Sequence, residues 1–205
     1  MAEEHGSGGP GCCFLISCIV VVYAFLYLVF FVLVPTNNAE YSVAVAGVAG
    51  LDPAADLSAP GQPALSPVFN VTVRVDNGRS RLYIACVDRL STVSVSYGDA
   101  LLGKGSVPQF CAESREVQER GARAWGLDVA VPRFLRDQLA GELAAGEAAV
   151  DVKVTTPAGC RRCGDEVLIC SNAKIGGGPS PCQRDVVYAP AAGSEGVFIG
   201  GLKLA

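Results

Sequence analysis

The chain has 205 residues, half of them hydrophobic and 18% charged, and its formal net charge at pH 7 is −4. This composition excludes an intrinsically disordered chain, because disorder requires low hydrophobicity together with high charge. The 16 basic residues face 20 acidic ones, two of which, Glu3 and Glu4, precede the first hydrophobic run. The rest of the chain is therefore close to neutral, which argues against nucleic acid as a partner.

The first predicted element is a transmembrane helix over residues 12–34, after an N-terminal tail of residues 1–11. The segment CCFLISCIVVVYAFLYLVFFVLV contains no charge, no Pro and no Gly, and sixteen of its residues are Val, Ile, Leu or Phe. As a helix it spans roughly 35 Å, and its insertion into a bilayer gains about 6 kcal/mol. Pro35 and the polar residues that follow are expected to end it.

A cleaved signal peptide is the alternative for this segment. Signal peptides have a basic n-region and an apolar core of about 7–15 residues. Here the core is longer and no Lys or Arg precedes it, which favours a retained single-pass anchor. Flanking charges do not set its orientation, because the first basic residue of the chain is Arg74.

Alternation of apolar and polar residues then predicts about seven short β-strands. The clearest lies in residues 67–77, where four apolar side chains share one face before the turn at Asn77-Gly78. A short apolar run at 167–170 predicts a further strand. The predicted inward stripes are Tyr41/Val43/Val45, Phe69/Val71/Val73/Val75, Leu82/Ile84/Cys86, Val93/Val95/Tyr97, Trp125/Leu127/Val129/Val131 and Val150/Val152/Val154.

One segment, residues 132–145, has a helical period instead. Leu135, Leu139 and Leu143 recur every four residues, and Pro132 suits the first helical position. We expect these leucines to cap the β core rather than to bind a partner.

The remaining segments are predicted to be loops. Residues 48–66 and 171–184 are loop-like, and residues 189–205 are expected to form a flexible C-terminal tail. The chain between the membrane segment and this tail, residues 35–188, is predicted to be one all-β domain of the β-sandwich type with a single short helix.

Six cysteines lie outside the hydrophobic run, and an even number suits disulfides in an oxidising compartment. The first two are candidates for one pair. The other four have the spacing C-x2-C-x6-C-x11-C, which departs from the paired C-x2-C of a zinc site, and CRRCG precedes a strand rather than the helix of a redox motif. Disulfides are favoured over unpaired thiols, zinc or redox catalysis, and the candidates are Cys86, Cys111, Cys160, Cys163, Cys170 and Cys182.

Two further candidate sites are sites of covalent modification. Asn70-Val71-Thr72 is an N-glycosylation sequon, and the alternation puts Asn70 on the outward face of its strand. A glycan there requires the domain to enter the secretory lumen. With the domain outside the cell, Cys12 and Cys13 lie at the cytoplasmic edge of the helix and are candidates for S-palmitoylation. The alternative is that they are small apolar residues that end the helix.

The inventory of side chains argues against an enzyme. The single histidine, His5, precedes the membrane segment, so Ser-His-Asp and Cys-His arrangements are unavailable to the domain. No phosphate-binding G-x-x-x-x-G-K-[ST] motif occurs. Carboxylates such as Asp128, Asp137 and Glu142 lie along solvated faces, and the sequence does not exclude paired-acid chemistry. We predict no catalytic residue, no cofactor and no metal.

The order of elements carries a resemblance to a known family. Tyr41 begins the first strand, and the second strand, residues 69–77, ends in Asn. The V-x-V-x-Y-G turn at 93–98, the Gly-x-Val-Pro-x-Phe segment at 105–110 and a Phe-Leu helix start at 134–135 follow. Over about residues 12–157 this order resembles the plant late embryogenesis abundant subgroup 2 domain of harpin-induced-like membrane proteins, which are related to non-race-specific disease resistance proteins.

The resemblance implies a fibronectin-III-like β-sandwich of about seven strands with one short helix, anchored in the plasma membrane with the domain in the apoplast. It also implies a role in defence against pathogens or in stress responses, and it brings no catalytic residues. Two departures from the family lie at Asp76-Asn77-Gly78, where the family has Asn-Pro-Asn, and at the cysteine-rich stretch 160–182, where it has a simple final strand.

Three functional hypotheses follow from the resemblance and the inventory together. The first is a membrane-tethered defence module that recognises a protein or cell-wall partner through its loops. The second is a structural stress protein that protects membranes without a specific ligand. The third has the domain in the cytoplasm with its six cysteines reduced.

Overall fold

The computed structural model describes residues 10–29, 39–57, 64–80, 83–159 and 163–188. Within these ranges the chain forms two α-helices, one π-helical turn at Pro53–Leu57 and eleven β-strands. The helices are α1 (Pro10–Leu28) and α2 (Arg133–Ala145). The strands are β1 (Glu40–Ala49), β2 (Val68–Asp76), β3 (Ala85–Val87), β4 (Thr92–Tyr97), β5 (Ala100–Ser106), β6 (Phe110–Ala112), β7 (Val117–Trp125), β8 (Ala149–Thr156), β9 (Asp165–Lys174), β10 (Ser180–Pro181) and β11 (Gln183–Val187).

Helix α1 begins two residues before the predicted membrane segment. Its side chains at positions 16–28 are all exposed, and the apolar ones lie on every side of the helix. Across the described part of the chain, no helix has both the length and the apolar character that a membrane crossing needs. Positions 30–34 of the predicted segment lie outside the described residues.

Nine strands form one sheet in the order β10-β1-β2-β7-β5-β4-β8-β9-β11, and β3 pairs with β6 separately. The neighbouring strands are antiparallel. The sheet is narrowest between β5 and β7, where only Lys104 and Trp125 are paired. At the other side β9 returns to β1, because Val45 bridges to Ile175 and its carbonyl accepts the Gly176 N–H at 2.8 Å. The sheet therefore folds over on itself.

A single hydrophobic core fills the space inside the folded sheet. Strands β2 and β4 are separated by two others in the sheet order, yet their apolar stripes belong to the same buried cluster. Four of the predicted stripes are confirmed as buried: Tyr41/Val43/Val45, Phe69/Val71/Val73/Val75, Val93/Val95/Tyr97 and Val150/Val152/Val154. The predicted all-β architecture is confirmed by this core.

The predicted number of strands is wrong, because eleven strands rather than about seven occur in the described residues. One error concerns the stripe that starts at Trp125. Strand β7 ends at that residue, Trp125 and Leu127 are 56% and 79% exposed, and the inward residues are Ala122 and Ala124. Because the inward residues of this largely polar strand are alanines, the alternation of apolar and polar residues is weak and did not predict β7.

Two other segments also differ from expectation. The loop predicted at 171–184 contains the end of β9, all of β10 and the start of β11. In the stripe predicted around residue 84, Ile84 is exposed and Cys86 only partly buried, whereas Val87 is the buried residue of β3. The predicted C-terminal tail, residues 189–205, lies outside the described residues.

The backbones of β5 and β7 lie so close together that no side chain fits between them at two glycines. A Cβ on Gly105 would lie 1.8 Å from the Arg123 carbonyl oxygen, and one on Gly126 would lie 2.2 Å from that of Leu102. Only glycine permits such close backbone approach. This contact between β5 and β7 joins the two halves of the folded sheet.

Helix α2 packs on the core as its leucine period predicts. Leu139 is completely buried, and Leu135 and Leu143 are packed against the core at its edge. Pro132 precedes the helix as its N-cap residue rather than occupying the first helical position. Gly146, in a left-handed conformation with φ of 68°, ends the helix and turns the chain into β8.

The domain has two ends that differ in character. The proximal end, where the chain arrives from α1, contains Glu40 at the start of β1 and its paired neighbour Asp76. The distal end contains Tyr97, Ala149 and Lys174, which end β4, begin β8 and end β9. The parallel bridge of β1 to the residue after β9 shows that these two strands point to the same end.

Candidate functional site

A pocket opens at the distal end between α2 and the edges of three strands. Its volume is about 480 Å³. Helix α2 contributes three side chains and the turn after it contributes one. The others come from the end of β4 and the glycine after it, from β8 and from β9. The residues used below are Tyr97, Leu135, Gln138, Glu142, Glu147 and Asp151. We call this cavity the distal pocket.

The end of α2 positions the first two carboxylates. Gln138, one turn before Glu142, donates a hydrogen bond of 3.0 Å from Nε2 to the Glu142 carboxylate. The Glu142 carbonyl accepts the N–H groups of Glu147 at 2.8 Å and Ala148 at 3.2 Å, which closes the helix terminus around Gly146. The turn therefore holds Glu147 beside the last turn of the helix.

The third carboxylate lies on β8. Asp151 accepts the Asn172 backbone N–H at 3.0 Å through Oδ1. Asn172 has a positive φ of 56° and lies on β9 at the point where the β8–β9 register shifts. This bulge leaves Asp151 half-buried at the pocket wall with one carboxylate oxygen outside that bond.

Tyr97 forms the inner wall of the distal pocket. Its residue is 7% exposed, and its hydroxyl oxygen is buried beside the Glu142 carboxylate. Burial of the phenol, followed by its hydrogen bond to Glu142 and the charge of that carboxylate, raises the pKa of Tyr97 to about 12.

A second pocket, of about 400 Å³, lies at the proximal end beside Tyr41. Its charged side chains are balanced: Arg74 pairs with Asp76 at 3.4 Å, and Arg184 pairs with Glu166 at 2.7 Å. Burial of the Tyr41 ring, followed by the charge of Glu166, raises the pKa of that phenol. These groups already have partners within the protein.

Asn77 organises the proximal end. It is 2% exposed, and its Nδ2 donates to the carbonyl oxygens of Tyr83 at 2.7 Å, Glu113 at 3.0 Å and Ala112 at 3.2 Å. Its own carbonyl accepts the backbone N–H groups of Ser80 and Arg115. Asn77 therefore connects β2 to the β3–β6 pair, and its role is structural.

The predicted glycosylation residue lies on the outer face of the sheet. Asn70 is exposed in the middle of β2, opposite Gly47 of β1 and Arg123 of β7. A shallow groove of about 300 Å³ runs beside it, next to Gly121. Gly47 on the β1 side leaves the Asn70 side chain accessible.

The predicted disulfide residues fall into three groups. Cys86 and Cys111 face each other across β3 and β6 and are bonded, and Cys170 of β9 is bonded to Cys182 after β10. Cys163 is also disulfide-bonded. Cys160 and the side chains of the palmitoylation candidates Cys12 and Cys13 lie outside the described residues.

The sequence did not single out the distal pocket. Tyr97 was assigned only to the core, and Glu142 only to a solvated face. The pocket arises because α2 packs across the ends of β4 and β8, which is a long-range contact that no local pattern reveals. Within the described ranges, no group of three or more His, Cys, Asp or Glu residues is arranged to hold a metal ion.

The fold defines a disulfide-containing all-β protein. No protein-family model, no curated protein and no solved structure matches the chain.

Proposed function

We propose that the chain is a membrane-anchored, non-enzymatic protein that acts in plant defence and stress signalling through a fibronectin-III-like β-sandwich held outside the plasma membrane. The proposal assigns the anchor to residues 12–34, the sandwich to residues 35–188 and recognition to the distal end. It names a protein or cell-wall component as the partner.

The described disulfides are the observation that carries this proposal. Cys86–Cys111 joins two strands, and Cys170–Cys182 joins β9 to the segment between β10 and β11. Disulfides of this kind form and persist in oxidising compartments and are rare in the cytosol. They therefore support a domain that has entered the secretory pathway.

The character of α1 supports the anchor. Its exposed apolar side chains surround the helix, and none of its described residues belongs to the core of the β domain. A helix that is apolar on all sides is typical of burial in lipid or in a large core. The same apolar sequence continues to position 34 before the first proline.

The shape of the domain supports recognition. The arginines that line the proximal pocket form ion pairs within the protein, whereas the distal pocket is lined by the carboxylates of Glu142, Glu147 and Asp151. A rigid sheet that carries a polar pocket at the end away from chain entry suits the binding of an outside partner. The resemblance to defence-related membrane proteins supplies the biological setting.

Topology is tested on the full chain expressed in plant cells. We expect glycosidase to shift the electrophoretic mobility of the wild type and not of Asn70→Gln, because Asn70 is exposed and lies opposite Gly47 of β1. Protease added to intact protoplasts should remove the β domain. A domain that is protected from protease and also lacks a glycan would overturn the proposed orientation.

The biological role is tested by complementation of a knockout. Full-length protein should restore restriction of pathogen growth, and Glu142→Gln together with Asp151→Asn should not, although the variant accumulates normally. Exposed Glu113→Gln serves as the control for the loss of a negative charge. If every variant restores resistance and protects equally against freezing-induced ion leakage, the protein is a general membrane protectant and the recognition role is rejected.

A further inference from the structure

We propose that the proximal end of the β domain contacts the outer leaflet of the bilayer, with exposed apolar side chains from three segments in the headgroup region. The segments are the one before β3, with Tyr83 and Ile84, the turn between β3 and β4, with Leu90, and the end of β11, with Val187 and Tyr188. We call this set the proximal apolar surface. The inference rests on the anchor and the orientation proposed above, and it adds lipid headgroups as a partner of the domain.

Strand pairing places the first and the last of these segments at the same end. The Tyr83 carbonyl accepts a hydrogen bond of 2.7 Å from Asn77 Nδ2, and Asn77 directly follows β2, whose last residue pairs with Glu40. At the edge of the sheet Val187 pairs with Asp165, the first residue of β9, which runs parallel to β1. Both segments therefore lie where the chain enters the domain.

The turn that carries Leu90 lies at this end as well. The hydroxyl of Ser91, the next residue, is 2.9 Å from the hydroxyl of Thr156, with which it shares a hydrogen bond. Thr156 is the last residue of β8 and pairs with Glu166, next to the start of β9. The Leu90 turn is therefore fixed to the same ends of β8 and β9 that neighbour the end of β11.

The side chains of the proximal apolar surface have the character of a membrane interface. Leu90 is 81% exposed, and its φ of 66° is a conformation that a bulky side chain rarely adopts. Residues held in such conformations concentrate at functional sites. Tyr83 and Tyr188 are also largely exposed, and a tyrosine, which is apolar along its ring and polar at its tip, suits the headgroup region.

The length of the connecting chain identifies the bilayer as the surface that faces this end. Five residues, 35–39, separate the proposed anchor from Glu40. Even fully extended, they keep Glu40 within about 20 Å of the end of the anchor. Strand β1 has ten residues and extends about 33 Å further, to the distal end. The proximal end is therefore the part of the domain within reach of the headgroups.

The charges at this end favour a neutral, zwitterionic lipid surface. Arg79 pairs with Glu40 at 2.8 Å, and Arg184 pairs with Glu166 at 2.7 Å, so these cations are neutralised within the protein. Anionic membranes are instead recognised by clusters of unpaired Lys and Arg. The apolar and tyrosine side chains supply the contact, and salt should have little effect on it.

The test uses the full-length protein in phosphatidylcholine vesicles, with and without bromine on the acyl chains. Bromine quenches tryptophan fluorescence only at short range, and the chain has one tryptophan, Trp125, at the distal end of β7. Two variants, Tyr83→Trp and Leu90→Trp, each combined with Trp125→Phe, move the probe to the proximal end. Brominated lipid should remove about half of their emission, because aromatic rings there lie at headgroup level. It should leave the emission of wild-type Trp125 unchanged.

Polar substitutions assign the contact to the apolar side chains. Ile84→Ser with Leu90→Ser should restore most of the emission lost by the Tyr83→Trp probe. Leu127→Ser is the matched control, because Leu127 is 79% exposed but lies at the distal end, and it should leave the quenching unchanged. Thermal unfolding of each variant shows that it is folded.

Flotation of the protein with carbonate-washed vesicles measures the anchor separately. A chain that floats while its probes at positions 83 and 90 stay unquenched would overturn this inference and leave the anchor in place. A chain that does not float would overturn the anchor together with the contact that rests on it.

Two other outcomes would also overturn the inference. Quenching that requires anionic lipid and disappears at high salt would show electrostatic attraction instead of apolar contact. Emission that shifts to the blue without quenching by bromine, and only at a high ratio of protein to lipid, would assign the proximal apolar surface to a second copy of the chain.

Discussion

The proximal and distal ends of the domain use polar residues in opposite ways. At the proximal end Asn77 satisfies three carbonyl groups and Arg74 pairs with its acidic neighbours, so the polar groups hold strands together. At the distal end three carboxylates line an open pocket, and the buried Tyr97 hydroxyl hydrogen-bonds one of them, Glu142. The difference teaches that polar groups at the proximal end hold strands together, whereas those at the distal end border a cavity.

The largest effect on stability is expected at the contact between β5 and β7, because this contact joins the two halves of the sheet. Gly105→Ala places a Cβ 1.8 Å from the Arg123 carbonyl oxygen, so the backbone of β5 or β7 must move. We expect a loss of about 3–4 kcal/mol in the free energy of unfolding, measured with urea.

Gly121→Ala is the matched control, because a Cβ there meets no atom within 4 Å. It should change stability by less than about 0.5 kcal/mol. Equal destabilisation by both substitutions would mean that the pairing of β5 with β7 does not depend on close backbone contact.

The next effect concerns the proximal network. Asn77→Ala removes the amide and leaves the carbonyl groups of Tyr83, Ala112 and Glu113 without that donor. We expect a loss of about 2–3 kcal/mol in urea unfolding, because buried acceptors lose their partner. The exposed Asn70→Ala should cost less than about 0.5 kcal/mol, and a similar cost for both would contradict the structural role of Asn77.

The two described disulfides allow an internal comparison. Replacing Cys170 and Cys182 by Ser opens a link with a sequence separation of 12 and should cost about 2–3 kcal/mol. The same change at Cys86 and Cys111 opens a separation of 25, which should cost about 0.6 kcal/mol more because the released loop is twice as long. Thermal unfolding of the two double variants measures this order, and a reversed order would contradict the loop-entropy account.

The smallest effect distinguishes the distal end. Tyr97→Phe removes one hydroxyl that hydrogen-bonds Glu142 at the wall of an open pocket, so stability at pH 7 should fall by no more than about 1 kcal/mol in urea unfolding. A loss of more than about 2 kcal/mol would show that this hydroxyl holds the distal end together as Asn77 holds the proximal end, and would remove the contrast between the ends.

The same tyrosine predicts a pH dependence. The pKa of Tyr97 is raised from 10.0 to about 12, so between these values the folded protein binds more protons than the unfolded one. Stability is then fully present below pH 10 and falls as pH rises toward 12, by at most about 3 kcal/mol. Tyr97→Phe should make this fall smaller, and Tyr41, whose pKa is also raised, accounts for part of the remainder.

The sequence predicted those parts of the fold in which one strand face is buried and rich in valine. Val71, Val73, Val93 and Val95 alternate with polar residues because the core covers only one face of each strand. Strand β7 was not predicted because its buried residues, Ala122 and Ala124, are small and the rest of the strand is mostly polar. No local pattern distinguishes such a strand from a polar loop.

The candidate site was predicted less well than the fold. Asn70 and the cysteines are short local signals, and the structure finds Asn70 exposed and five of the described cysteines disulfide-bonded. The distal pocket instead combines Tyr97, Glu142 and Asp151, which are distant in sequence and meet only when α2 lies over the sheet ends. Such a meeting of distant residues is defined only by the folded structure.

The central claim, a disulfide-closed β domain outside the membrane, is tested most directly by counting free thiols in the full-length protein. Plant membranes are quenched in acid, denatured and treated with a polyethylene-glycol maleimide, with and without prior reduction, for wild type and for the Cys86→Ser/Cys111→Ser variant. The account predicts that Cys86, Cys111, Cys170 and Cys182 are labelled only after reduction. Labelling of these four residues without reductant would place the domain in a reducing compartment and would contradict the account.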